Sequence, residues 1–178
     1  MMNTTAKLVG GLILLLLGLA PLGARAQEVR EPVSHTHVIS GDPILLLAGW
    51  FTAEYEHKMA ETVTVGIAGG WMELDENDYA SVSGFLRYYP QEAAFTGFYL
   101  GGRAGIHNVD EGHTPDVGNE SHTAFGIGVD VGYTWLLGPG GSFYVGVGIG
   151  VSRLFSDDLG DAASVIPAVR LFNVGVAF

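Results

Sequence analysis

The 178-residue chain has no cysteine, so neither a disulfide framework nor thiolate chemistry is open to it. Basic residues are scarce, eight Lys and Arg against nineteen Asp and Glu. That balance excludes nucleic acid as a partner, because phosphate backbones are held by clustered Lys and Arg. Beyond the amino terminus no apolar run approaches the roughly 18 residues of a membrane-spanning helix, which excludes that class for the rest of the chain. A hydrophobic content of 48% in turn excludes disorder. Glycine and aromatic residues are plentiful: 27 glycines, and 11% Phe, Trp and Tyr.

Residues 1–26 have the form of a secretory signal. Lys7 supplies the positive head, Leu8–Leu19 is an apolar run broken only by glycines, and Ala24-Arg25-Ala26 fits a small-x-small cleavage site. The run is shorter than the roughly 20 residues a membrane anchor needs. Cleavage after Ala26 would remove Lys7 and Arg25, leaving six basic residues against nineteen acidic ones and a net charge of −13. Residues 27–32 then form a short periplasmic segment ahead of one domain, 33–178.

The dominant period in that domain is two. In Thr123–Leu137 one face carries Thr123, Phe125, Ile127, Val129, Val131, Tyr133, Trp135 and Leu137; the other carries Ala124, Gly126, Gly128, Asp130, Gly132, Thr134 and Leu136. Phe143–Val151 repeats the pattern. Apolar residues alternating with small or polar ones fit a wall with lipid on one side and a narrow lumen on the other. Strands are expected at 44–57, 62–73, 79–89, 96–108, 121–137, 142–154 and 165–178. The connections alternate: tight turns at His57–Glu61, Pro90–Phe95 and Gly138–Gly141, and polar, acidic loops at Leu74–Asp78, Val109–Glu120 and Phe155–Ser164. Short turns on one side of a membrane and longer loops on the other put both termini in the periplasm only if the strand number is even. An eighth strand is therefore required, and Val33–Ser40 is the candidate, joined to the next strand by the turn Gly41-Asp42-Pro43. The expected fold is an all-β, eight-stranded antiparallel up-and-down transmembrane barrel.

This topology places Tyr55, Tyr88, Phe98, Tyr133, Trp135, Phe143 and Phe178 on the lipid face near the periplasmic strand ends, as an aromatic girdle. A soluble barrel or sandwich is the competing all-β reading, and it would have to bury all of these apolar faces. Inward parity collects Glu54, Glu56, Arg87, Arg103 and Asp130, with Tyr99, Tyr144 and His107, opposite glycines on other strands. An eight-stranded barrel has room for side chains and little else, so these residues are expected to form a packed charge network. Glu54 and Glu56 are also an acid pair, but two arginines within reach favour the structural role over catalysis.

The stretches Glu54-Tyr55-Glu56, Arg87-Tyr88-Tyr89, Gly97-Phe98-Tyr99-Leu100-Gly101 and the terminal Val176-Ala177-Phe178, an alternating strand ending in an aromatic residue, carry a resemblance. The chain resembles, over roughly 36–178, the small outer-membrane β-barrel families of unknown function and, broadly, OmpA-type and OmpX-type eight-stranded barrels. The resemblance implies location and fold rather than chemistry. It also implies outer-membrane lipids, lipopolysaccharide among them, and the barrel assembly machinery as partners, and it names no surface partner.

Some barrels of this size are lipid A-modifying enzymes, which need Ser, His and an acid on one face. Ser121 and His122 beside Glu120 point to opposite faces, His107 lies across the wall from Ser121, and no Gly-x-Ser-x-Gly elbow occurs, so no catalytic residue is assigned. His35, His37 and the loop Asp110–Asp116 match no zinc signature, so neither a metal site nor a cofactor is expected. Under strict alternation Arg153 and Arg170 face lipid near the outer interface, where they would meet lipid headgroup phosphate; an extra residue near Phe172-Asn173 would instead turn Arg170 inward. The function expected is a structural or surface-interaction scaffold. A narrow ion or small-solute conduit and a lipid A-modifying enzyme are the alternatives.

Overall fold

The computed structural model describes residues 35–74, 77–91, 93–110, 121–155 and 165–178. The signal-like stretch 1–26 and the segment 27–32 lie outside them, as do 111–120 and 156–164 of the two long connections. Eight strands are present: β1 (His37–Gly41), β2 (Trp50–Ala60), β3 (Val63–Leu74), β4 (Asn77–Tyr88), β5 (Gly97–Asp110), β6 (Ser121–Leu137), β7 (Phe143–Phe155) and β8 (Val165–Ala177). Each pairs antiparallel with its sequence neighbour, and β8 pairs with β1, closing an up-and-down barrel. The end holding His37, Phe178 and the short turns is here the terminal end; the opposite one is the loop end.

The alternation read in the sequence becomes the two faces of the wall. Along β6, Phe125, Ile127, Val129, Val131, Tyr133, Trp135 and Leu137 are exposed, while Ala124, Asp130 and Thr134 are buried. The barrel is apolar outside and carries its charges inside, the reverse of a soluble core. Glycines let large lumen residues cross. A Cβ on Gly66 would run into the Phe85 ring and the Tyr55 carbonyl, and one on Gly175 would run into the Ile39 carbonyl where the barrel closes.

Three expectations are corrected. The strand expected at 44–57 begins only at Trp50, and Pro43–Leu47 forms a short helix, α1. Asp42 starts it: Oδ1 accepts the amides of Ile44 at 3.0 Å and Leu45 at 3.1 Å, and Pro43 follows in the first turn. Gly49, at φ +84°, turns the chain out of the helix after Ala48. The apolar run 44–47 does not alternate, so these end signals decide its conformation. Second, the first strand is His37–Gly41 rather than 33–40. Third, Pro90–Phe95 is not a simple tight turn. The amide of Ala94 bonds the Glu61 carbonyl at 2.7 Å, and Phe95, with φ +68°, is driven into the lumen, where Val38, Ala94, Tyr144 and Ala177 pack with it.

β8 contains a bulge. Gly146 pairs with Asn173 and Gly148 with Arg170, so Val147 faces both Leu171 and Phe172. The amide of Phe172 donates to Oδ2 of Asp42 at 2.9 Å. One carboxylate thus starts α1 and satisfies a bulge amide 130 residues away.

β1 is short, and closure is correspondingly partial. Its ladder to β8 spans Val38–Gly41 against Val174–Ala177. Toward the loop end no described strand lies between Trp50–Ala53 of β2 and Val165–Asn173 of β8. α1 sits in this slot and touches both strands. Pro167 falls in the one-sided stretch of β8, and an edge is where a strand tolerates proline.

Candidate functional site

The lumen has two levels. In the terminal half it is solid. Arg87 is fully buried, its guanidinium 4.0 Å from the centre of the Phe85 ring and 5.0 Å from that of Tyr99. Nη1 donates to Glu56 at 2.6 Å and Nη2 to Glu54 at 3.1 Å. Glu56 also accepts from Thr64 Oγ1, and from Tyr89 Oη at 3.2 Å. Arg170 reaches the same cluster: Nη2 lies 2.9 Å from Glu54, and its two terminal nitrogens donate to Tyr99 Oη at 3.0 Å and Tyr144 Oη at 3.2 Å. Buried charge is tolerable when partners are this close and the remaining acceptors are filled.

Arg170 therefore faces inward, as the alternative with an extra residue near Phe172-Asn173 had it, and the headgroup contact expected of it under strict alternation is overturned. The bulge adds one residue and reverses the facing of everything before it on β8. Arg153, on unbulged β7, is exposed, with its guanidinium 5.1 Å from the centre of the Phe155 ring.

Asp130 and Arg103 belong to the network more loosely. Asp130 lies 3.8 Å from Arg87 Nε and 3.9 Å from Arg103 Nε, within ion-pair range but beyond hydrogen bonding. Among the described residues three carboxylates (Glu54, Glu56, Asp130) thus stand with three guanidinia (Arg87, Arg103, Arg170), and the Arg103 pairing is the loosest.

Above the network, toward the loop end, the inward residues are small: Ala68, Gly70, Ser81, Ser83 and Ser152. They leave a chamber of about 90 Å³. Arg103 and His107 enter it, and Tyr79 Oη bonds His107 Nδ1 at 2.6 Å. Four buried polar atoms of its lining residues, Trp50 Nε1, Arg103 Nε, Arg170 Nε and Asn173 Oδ1, have no hydrogen-bond partner.

The seven girdle aromatics, Tyr55, Tyr88, Phe98, Tyr133, Trp135, Phe143 and Phe178, are all exposed on the outer wall toward the terminal end. Tyr133 and Trp135 pack with ring centroids 4.6 Å apart and planes tilted by 38°. His37 lies over Phe178 and Tyr55, and its Nδ1 is 2.7 Å from Tyr55 Oη and 3.3 Å from His57 Nδ1. His35 does not join it; its Nε2 contacts the Gly140 carbonyl at 2.8 Å. Among the described residues no three metal-ligating side chains converge. Glu120 and the loop after Asp110 lie outside the described residues, and the side chains of Ser121 and His122 are likewise not described.

Among the contributors that sequence reasoning missed are Phe95, Thr64, Tyr89, Trp50 and Asn173. Thr64, Trp50 and Asn173 follow from parity once the bulge and the end of α1 are known. Phe95 gave no signal, because nothing local predicts an aromatic residue in a left-handed conformation.

Residues 36–161 match the family described as "Protein of unknown function (DUF3575)". No curated protein matches the chain. The fold is similar to the crystal structure of the N-terminal β-barrel domain of Pseudomonas aeruginosa OprF, with a TM-score of 0.50 and 12% identity, covering 82% of this chain and 98% of that one. At that identity the likeness concerns the fold alone.

Proposed function

The chain belongs to the DUF3575 family, which carries no assigned activity, and from that premise we propose that it is an outer-membrane barrel serving as a closed scaffold rather than as a channel or an enzyme. Strands β2–β8, of 11 to 17 residues, meet or exceed the roughly 9–11 residues a tilted strand needs to cross the hydrocarbon. Their outward faces are apolar, and the aromatic residues gather toward one rim, as interfacial anchors do. Residues 1–26 are the export signal in this reading, the terminal end faces the periplasm, and outer-membrane lipids and the barrel assembly machinery are its partners. Arg153 stands free to meet lipid phosphate.

The observation that carries the closed reading is the fully buried Arg87, held by Glu54 and Glu56 across the lumen, with Phe95 filling the terminal mouth behind it. Ions would have to displace both layers. The conduit reading is favoured only by the chamber above. Planar-bilayer conductance of the refolded chain, alongside a Glu54→Ala/Glu56→Ala variant, tests the two. A silent parent supports the scaffold; reproducible current steps that change in the variant would make the charge network a gate.

A further inference from the structure

The lumen chamber and the slot in the wall share a boundary. Leu45 is the one buried side chain of α1, and it lines the chamber, as do Ile166, Pro167 and Val169 of the one-sided stretch of β8. Ile44, Leu46 and Leu47 of the same helix are exposed on the outer wall, Leu47 at 89%. On the side of the slot the chamber is therefore apolar apart from the Asp42 carboxylate, whose oxygens are occupied by the amides of Ile44, Leu45 and Phe172. Across from it the lining is polar: Arg103, Trp50 Nε1 and the hydroxyls of Ser81 and Ser83 offer donors, and the Glu54 carboxylate that also lines it is taken up by Arg87 and Arg170.

Charge and size narrow what such a chamber takes. The side chain of Arg103 is 17% exposed and holds one loose ion pair at 3.9 Å among the described residues, so its guanidinium is the least neutralised of the three lumen arginines. Trp50 Nε1 is buried at the chamber without a partner, a donor whose unmade hydrogen bond is costly, whereas the unpaired atom of Asn173 is an acceptor, Oδ1, and takes no part in holding an anion. About 90 Å³ holds several waters or one small anionic group, since each water takes roughly 10–15 Å³ of such volume. It does not hold an alkyl chain. An anion with a chain attached fits only if the chain leaves through the slot, between α1 and β8, into the apolar surroundings of the wall.

We propose that this chamber is a binding site for a single-chain carboxylate amphiphile of the fatty-acid class. Arg103 binds the carboxylate, with Trp50 Nε1 as a second donor, and the chain passes under Leu45 and along Ile166–Val169 to the outer surface. The proposal rests on the membrane reading above, because only lipid around the slot would accept the chain.

A bromine-labelled probe tests it through Trp50. In a Trp71→Phe/Trp135→Phe background Trp50 is the sole tryptophan. This chain, refolded into neutral phosphatidylcholine vesicles, is titrated with ω-bromoundecanoate, with its neutral twin ω-bromoundecanol, and with bromopropionate, which has the head but no chain. The expected result is saturable quenching by the long carboxylate alone. Arg103→Gln should weaken it by about tenfold or more, the scale of a charge-assisted hydrogen bond, Arg103→Lys should restore part of it, and Lys58→Gln at the other end should leave it unchanged. Equal quenching by the alcohol, or a curve that never saturates, overturns the site. Equal affinity for bromopropionate overturns the role of the slot. The comparison of the three probes on the parent decides the matter even where Arg103→Gln does not fold. A chain that fails to insert into vesicles sinks the membrane reading and this inference together, whereas insertion without saturable quenching sinks this inference alone.

Discussion

The two halves of the lumen use the same interior in opposite ways. In the terminal half, Arg87, Glu54, Glu56, Tyr89, Tyr99, Tyr144 and Phe95 fill the cross-section, and glycines such as Gly66 and Gly148 exist to let them pass. In the loop half the large residues are few, Ala, Ser and Gly line the wall, and the space is left open around Arg103. The wall differs in parallel: eight strands close the terminal half, but at the loop end β1 has ended and a five-residue helix stands in its place. Stability and sealing are thus concentrated at one end, which frees the other to be roomy and incompletely closed. Asp42 lies at the boundary, holding helix and bulge with one side chain.

The comparison is tested most severely at the charge layer. Arg87→Leu leaves Glu54 and Glu56 short of a partner in a dry interior and should cost about 3–5 kcal/mol in urea unfolding, whereas Arg103→Leu, removing a loose pair, should cost about 1 kcal/mol or less. Similar losses from both would mean that the halves are not energetically distinct. Next comes the mouth. Phe95→Ala empties the terminal plug and should cost about 3–5 kcal/mol, with nothing recovered at the left-handed backbone because alanine keeps its Cβ.

Asp42→Ala removes the α1 cap and orphans the Phe172 amide together. A loss of about 2 kcal/mol is expected, with faster amide exchange in α1 and the first half of β8 but not in β3–β6; uniform exchange would deny Asp42 its position at the boundary. The smallest effect is on glycine. Gly66→Ala must displace the Phe85 ring and a backbone carbonyl and should lower stability by about 1–3 kcal/mol. Gly70→Ala presses on Ser81 Oγ and Trp50 Nε1, at 3.2 and 3.3 Å, side-chain atoms with the chamber to move into, and meets the Phe51 carbonyl at an ordinary contact distance of 3.7 Å. Its cost should stay under about 0.5 kcal/mol, as for substitutions without a structural conflict, and thermal gel-shift midpoints of the two variants would order them.

Much of this was legible along the chain. The period of two in Thr123–Leu137 and Phe143–Val151 marked strands and assigned faces, and parity alone demanded an eighth strand and put Glu54, Glu56, Arg87 and Asp130 on the inside. The short helix was written in Asp42-Pro43 and Gly49, but the apolar run between them reads equally as strand when only hydrophobicity is weighed. Arg170 was the hard case: the strand pattern left both facings open, and the single extra residue opposite Val147 decides for the inside.

The sequence by itself determined that the chain would be a closed barrel with an apolar exterior and a charged lumen, because side-chain alternation is a local property of extended backbone. Only the tertiary structure decided which arginine enters the charge layer, where Phe95 goes, and that the wall stops short beside α1. Those outcomes depend on register and on the lengths of neighbouring strands, which are relations between residues far apart in the chain, such as Asp42 and Phe172, that no local pattern encodes.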